Sequence, residues 1–288
     1  MSADAGTPAQ TVWTPLELVR WTGEYFKTHG VQSPRLDAEL LLAHALGARR
    51  IDLYLRFDQP LQAEERAGFR ELVRRRARER VPVAYLIGTR EFWSRSLRVT
   101  PDVLIPRPET EVLVQLAAKL APRRAADIGI GSGAIALALA LELPEVEIAG
   151  VDVSEAALAV ARENLTAHGV AERVSLACGR GLAPLQGRFD VIVSNPPYVP
   201  SGELERLAPE LRHEPRIALD GGPDGLDVIR ELASTAREKL VPGGHLLLEI
   251  AADQAGRTQD LLRAGGAAAV EIHPDLTGRE RVALARFD

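Results

Sequence analysis

The chain has 288 residues, 46% apolar and 26% charged but only 5% aromatic, with 35 Lys+Arg against 40 Asp+Glu and a formal net charge of −5. At roughly 100 to 200 residues per domain this length points to two domains, one large enough for a full α/β sheet, and the scarcity of rings argues against a base-stacking surface. The single cysteine, Cys178, excludes an internal disulfide and a Cys-based zinc site, points to a reducing, cytoplasmic setting, and is expected as a small core hydrophobe.

Residues 1–12 show neither a basic start nor an apolar stretch, so they read as a loose tail rather than a secretory signal. From Pro15 to Arg80 apolar residues recur at three and four, as in Leu36, Leu40 and Leu41, with Thr14-Pro15 and Ser33-Pro34 marking helix starts. This predicts a small helical domain over residues 1–81, punctuated by Gly47 and Asp58-Gln59-Pro60. The arginines Arg74, Arg75, Arg76, Arg78 and Arg80 gather at the end of one such helix, where cations favour the dipole, and are expected to be a solvated helix end rather than a phosphate site. Over residues 82–108 the pattern changes to alternation, Val83 to Ile87 and Phe92 to Val99 around Gly88, which predicts a β-hairpin linker.

Residues 109–288 alternate strand and helix signals, the signature of a mostly parallel sheet covered on both faces. Seven strands are expected, at 125–129, 146–151, 174–177, 189–194, 245–250, 268–272 and 282–286. The last two have no long helix between them, so one of them is expected to run antiparallel. The apolar stretch from Ala125 to Leu143 is broken by Asp127, three glycines, Ser132 and Glu142, which fits a buried strand and helix and not a membrane span. Residues 1–95 hold 15 Lys+Arg against 12 Asp+Glu, and the remainder 20 against 28. An acidic second part counts against a duplex nucleic acid as substrate, because phosphate binding calls for a basic face.

Two motifs carry the chemistry. Asp127-Ile128-Gly129-Ile130-Gly131-Ser132-Gly133 closes one strand and opens a helix, and glycines there let the backbone turn tightly and approach a ligand. Asp152, at the end of the next strand, is placed to accept from both ribose hydroxyls of an adenosine. This combination serves dehydrogenases as well as methyltransferases, and a plain tight turn is the bland alternative. The second motif, Ser194-Asn195-Pro196-Pro197-Tyr198, follows the apolar strand ending at Val193. Ligands of open α/β sheets bind beyond the carboxyl ends of strands, so both loops should face one crevice. Consecutive prolines fix the backbone and remove two donors, which leaves carbonyls free; Asn195 adds a neutral acceptor and Tyr198 a flat face. Two acceptors gripping the hydrogens of an amide or aromatic amine nitrogen favour a pyramidal nitrogen with its lone pair aimed at an electrophilic methyl. The alternative is a rigid turn capping a core strand, with Tyr198 packed against it.

Beyond these motifs the chain contains Leu36-Asp-Ala-Glu-Leu-Leu41, Ile105-Pro-Arg-Pro-Glu-Thr-Glu111, Glu214-Pro-Arg216, Ala218-Leu-Asp-Gly-Gly-Pro-Asp-Gly-Leu226, Leu247-Leu-Glu249 and Arg281-Val282. With them it resembles, over nearly its whole length, the release factor glutamine methyltransferases of the PrmC/HemK family. The resemblance implies a seven-stranded, Rossmann-like class I methyltransferase sheet and S-adenosyl-L-methionine as cofactor. It also implies methylation of the glutamine side-chain amide in the Gly-Gly-Gln loop of bacterial peptide chain release factors, with the helical domain helping to dock that protein. No nucleic acid, membrane or metal is implied. Carried over by position, Gly129, Ile130, Gly131, Ser132, Gly133, Asp152, Arg180 and Asn195 surround the cofactor. Asn195, Pro196, Pro197 and Tyr198 hold the glutamine, with Asn195, Pro196 and Tyr198 as the catalytic set; Asn195 accepts through its side chain and Pro196 through its carbonyl.

Where the family commonly has an acidic residue and then an aromatic one, this chain has Gly179-Arg180-Gly181. Arg180 then either stacks on adenine through its planar guanidinium or belongs to a looser loop. Arg107 and Glu109 either border the cavity or form a helix-cap region; Glu214 either orients the substrate loop or pairs with Arg212 or Arg216. Two other functions stay in view, a nucleic-acid amino methyltransferase sharing both loops and a non-catalytic release factor adapter with a relic cofactor cavity.

Overall fold

The computed structural model describes residues 13–288; the tail expected over residues 1–12 lies outside them. The chain divides into two compact units, Met1–Ile87 and Gly88–Asp288. The first is helical: α1 (Pro15–Thr28), α2 (Pro34–Ala45), α3 (Arg50–Leu55), α4 (Ala63–Arg78) and α5 (Val83–Ile87). Both predicted starts hold. Thr14 caps α1 in a reciprocal box with Glu17, and Pro34 occupies the first turn of α2, where its missing N–H costs nothing.

Two expectations for this part are corrected. Val83–Ile87 is not a strand but a short helix, started by the Pro82 carbonyl, which accepts from the N–H of Tyr85 and of Leu86 at 3.1 and 3.2 Å. The arginine cluster is not wholly a solvated helix end. Arg76 shares a face of α4 with Phe69 and Val73, is 6% exposed, and pairs with buried Asp37 of α2 at 2.8 Å, whereas Arg74 pairs at the surface with Glu71 and Glu79. Asp37 and Glu39 are buried acids with partners inside this unit, Glu39 accepting from the Tyr54 hydroxyl at 2.6 Å.

The second unit opens with an antiparallel hairpin, β1 (Thr89–Phe92) and β2 (Arg95–Arg98), followed by α6 (Glu111–Lys119). There follow β3 (Arg124–Ile128), α7 (Ala134–Glu142), β4 (Glu147–Asp152), α8 (Glu155–Ala167), β5 (Val174–Cys178) and β6 (Phe189–Ser194). The unit ends with α9 (Asp227–Lys239), β7 (Leu240–Glu249), α10 (Ala255–Ala264), β8 (Ala269–Pro274) and β9 (Glu280–Phe287). All seven expected strands form one sheet in the order β5-β4-β3-β6-β7-β9-β8, and β9 is the antiparallel member. β7 begins at Leu240, five residues before its expected start, because Leu240 pairs with Phe189 across an irregularity in the register.

Alternate residues of each strand enter opposite cores. Ala125, Val191, Val193 and Leu247 pack on the side of α7, whereas Ala126, Ile192, Leu246 and Leu248 pack on the side of α9. The residues Ala134 to Ala140 of α7 are all buried, as an all-apolar helix must be. Cys178 departs from its expected place in a core: it is the last residue of the edge strand β5 and is exposed. No helix among the described residues is long and apolar enough to cross a membrane.

Candidate active site

The strand order reverses direction between β3 and β6, and ligands of such sheets bind in the crevice at that switch point. Ile128 and Ser194 are register partners there, and the Ser194 hydroxyl donates to the Ile128 carbonyl at 2.7 Å. Gly129 and Asn195, each the next residue along, therefore leave adjacent strands side by side. On the other flank Ile128 pairs with Val151, which sets Asp152 beside the same loop. A cavity of about 480 Å³ occupies this end of the sheet, within the usual range of roughly 300 to 1,000 Å³ for small-molecule sites.

Gly129, Ile130, Gly131, Ser132, Asp152, Arg180, Asn195, Pro196 and Pro197 all line the cavity. Gly129 and Gly131 have φ of +74° and +53°, and their N–H groups are committed to Val151 O and to the Asp152 carboxylate at 2.8 and 2.9 Å. Gly133 is placed otherwise. It does not line the cavity, and at φ +82° a Cβ on it would stand 3.4 Å from Ala161 of α8, so its glycine serves helix packing. Asp152 accepts from the N–H of Gly131 through one oxygen and of Ser154 through the other, at 2.9 and 3.0 Å. Each carboxylate oxygen has two acceptor sites, so this grip orients the group and leaves capacity for two hydroxyls.

Arg180 lines the cavity, but its guanidinium is held by Glu231 of α9 at 2.8 Å. Glu231 also faces the cavity, and nothing in its local sequence marks it. Arg107 lines the cavity as well, and it pairs with buried Glu214, which also accepts from the Ile105 N–H at 3.1 Å. The partner of Glu214 is thus neither Arg212 nor Arg216. Glu109 is exposed and away from the cavity, and Glu111 instead accepts from the Trp93 N–H at 3.0 Å.

The Asn-Pro-Pro-Tyr loop is fixed from outside. Val199 and the segment Leu219–Gly222 bond in the manner of a short parallel bridge, with Val199 N donating to Leu219 O and Gly221 N to Val199 O at 3.0 and 2.8 Å. Gln254 donates to the carbonyls of Tyr198 and Gly225 at 2.9 and 3.2 Å. Among the described residues no hydrogen bond goes to the carbonyl of Pro196. Tyr198 does not line the cavity: it is partly buried, and its hydroxyl faces the Glu249 carboxylate at 3.4 Å. Burial, seconded by that carboxylate, pushes the Tyr198 phenol up to about 12. Glu249, 1% exposed, is itself pushed up to about 7, mainly by burial. It accepts from Thr110 Oγ1 at 2.6 Å, and Thr110 Oγ1 accepts from Asn195 Nδ2 at 3.2 Å.

Comparisons with known proteins find relatives of both units. Residues 17–88 match the PrmC N-terminal domain and residues 108–219 the methyltransferase small domain. A release factor glutamine methyltransferase of Geobacter sulfurreducens is 46% identical over 253 residues, covering 86% of this chain and 88% of that protein. Another, of Rhodopirellula baltica, is 45% identical over 264 residues and 88% of each chain. Among solved structures, the hMettl16 catalytic domain in complex with an RNA hairpin aligns with a TM-score of 0.56 at 15% identity, over 75% of this chain and 78% of that one. A methyltransferase from Pyrococcus furiosus aligns with a TM-score of 0.51 at 22% identity, over 66% and 87%. These two share the fold.

Proposed function

Since the chain belongs to the release factor glutamine methyltransferase family, we infer that it transfers a methyl group from S-adenosyl-L-methionine to the side-chain amide nitrogen of the Gly-Gly-Gln glutamine in bacterial peptide chain release factors, acting in the cytoplasm. The observation that carries this reading is the adjacency of the glycine loop and Asn195-Pro196-Pro197 across β3 and β6, lining one cavity. When bound, S-adenosylmethionine supplies an electrophilic methyl on a sulfonium. Gly129 and Gly131 admit the cofactor to the backbone, and Asp152 receives its ribose hydroxyls.

Asn195 and Pro196 act on the substrate. An amide nitrogen is a poor nucleophile because its lone pair is delocalised. Oδ1 of Asn195 and the carbonyl of Pro196 accept its two hydrogens and hold it pyramidal, so the lone pair points at the methyl. Orientation and preorganised dipoles carry the rate, and the nitrogen loses its extra proton to water after transfer. Pro197 shapes the wall and Tyr198 holds the loop from behind. The helical unit contributes to docking the protein substrate.

The test offers methyl-labelled cofactor to the enzyme with a release factor, with its Gln→Ala variant, and with nucleic acid. Label is expected only on the unsubstituted release factor. Label on nucleic acid alone would make the chain a nucleic-acid amino methyltransferase, and no cofactor binding at millimolar concentration would make it an adapter.

A further inference from the structure

Asn195 can serve the reaction in only one of its two amide orientations. With Oδ1 toward the cavity it accepts from the substrate N–H; flipped, it presents two donors to a nitrogen that has none to accept with. The Asn195 backbone does not decide this, because an amide flip leaves the backbone untouched. What decides it is the side chain that Asn195 meets outside its own loop, Thr110, which also lines the cavity.

We propose that Thr110 and Glu249 are positioning residues for the transfer, forming a one-way relay that fixes the amide orientation of Asn195. The proposal rests on the substrate-gripping role given to Asn195 above. Above about pH 7 the Glu249 carboxylate is ionised and can only accept, so the single hydroxyl proton of Thr110 goes to it, at 2.6 Å. The Thr110 oxygen then has only acceptor capacity left. Asn195 must meet it with Nδ2, at 3.2 Å, and this leaves Oδ1 for the substrate. Thr110 is 4% exposed and Glu249 1% exposed, so water does not compete for the hydroxyl. The second carboxylate oxygen of Glu249 receives the Tyr198 hydroxyl at 3.4 Å, so the same acid steadies both ends of the Asn-Pro-Pro-Tyr loop. Three distant segments meet in this relay: the turn before α6, the end of β6 and the end of β7.

Thr110→Val keeps the shape and removes the hydroxyl, whereas Thr110→Ser keeps the hydroxyl. Steady-state methylation of a release factor is measured for both, together with the affinity for S-adenosylmethionine by calorimetry. Thr110→Val is expected to lower kcat roughly 10- to 100-fold, the scale of a misplaced reacting group, with KM for the release factor and cofactor affinity unchanged. Thr110→Ser should retain most of the activity. In an Asn195→Ala background, Thr110→Val should cost nothing further, because the relay has nothing left to orient. Wild-type kcat in Thr110→Val, equal losses in the Val and Ser variants, or full additivity with Asn195→Ala would each overturn the relay. If Asn195→Ala itself turns over normally, the gripping role fails first; if Asn195→Ala is inactive and Thr110→Val is not, only the relay fails.

Discussion

Asn195 and Asp152 line one cavity on opposite flanks of β3, and their substitution is expected to separate chemistry from binding. Asn195→Ala removes an acceptor for the incoming nitrogen and should lower kcat by roughly 100- to 1,000-fold while leaving cofactor affinity in place. Asp152→Ala removes hydrogen bonds to a charged acceptor and should weaken cofactor binding on the order of 10- to 100-fold. Calorimetry beside single-turnover methylation reads both; an equal loss of cofactor affinity in Asn195→Ala would remove it from the substrate side. These residues were legible in the sequence because each motif is local, a glycine turn or an Asn-Pro-Pro-Tyr run directly after a strand. Their supports were not. Thr110 reaches Glu249 across 139 residues and Arg107 reaches Glu214 across 107, and one sequence carries no sign of such pairs. For Glu214 the sequence offered only neighbouring arginines, and the fold supplied another. Tyr198 and Gly133 were legible as motif members but not by task, since which face of the loop a side chain takes depends on what packs behind it.

At the scale of elements, periodicity located all seven strands of the sheet and failed where local chemistry contradicts it. The hairpin turn is made by Trp93 and Ser94 at φ +52° and +56°, a conformation that ordinarily calls for Asn or Gly. It is held by partners from elsewhere: Glu111 takes the Trp93 N–H, and Glu142 takes its indole N–H at 2.7 Å. Residues 83–87 alternate like a strand yet fold as one helical turn, because Leu86 is drawn into the helical core. The bridge between Val199 and Leu219–Gly222 was invisible for the same reason, and it makes a demand of its own. A Cβ on Gly221 would lie 2.7 Å from the Pro197 carbonyl oxygen and 2.8 Å from that of Gly225. Gly221→Ala must therefore shift the loop that bears Asn195, and it is expected to cost about 1 to 3 kcal/mol of stability and to lower kcat. Gly202→Ala, where a Cβ meets nothing within 4 Å, serves as the control. Chemical denaturation with activity assays checks both, and a fully active Gly221→Ala would show that the loop does not depend on this contact.

Across the whole molecule, stability and pH are tied by two carboxyls that the fold buries without a cation to offset them fully. Asp127, fully buried, is pushed up to about 7, first by burial and then by Asp152, against the Ala136 N–H that accompanies it. Glu249 is pushed up to about 7 by burial and by Glu109, against Thr110, Arg281 and Tyr198. In the unfolded chain both ionise near their ordinary values of 3.8 and 4.5. The folded state therefore keeps protons that the unfolded state has lost between about pH 4 and 7. Stability is fully present below that window and declines as pH rises through it, by about 1.4 kcal/mol per pH unit for each group. Asp275, held down at about 2 first by the Thr277 hydroxyl, works in the opposite sense, but only as pH falls below its ordinary 3.8. His245, held below its ordinary 6.5 first by burial and then by Arg286, also works in the opposite sense within this range. It is one group against two, so across pH 5 to 7 the buried acids set the sign of the slope. Calorimetric unfolding over that range should show Tm falling with pH in the wild type, less steeply in Asp127→Asn and in Glu249→Gln, each of which removes one of the two protons. The comparison of slopes also separates this effect from general surface charge, which the single substitutions barely alter. Equal slopes in wild type and variants would mean that these carboxyls ionise alike in the folded and unfolded chain, and burial would then have to be offset by interactions absent from the hydrogen bonds described above.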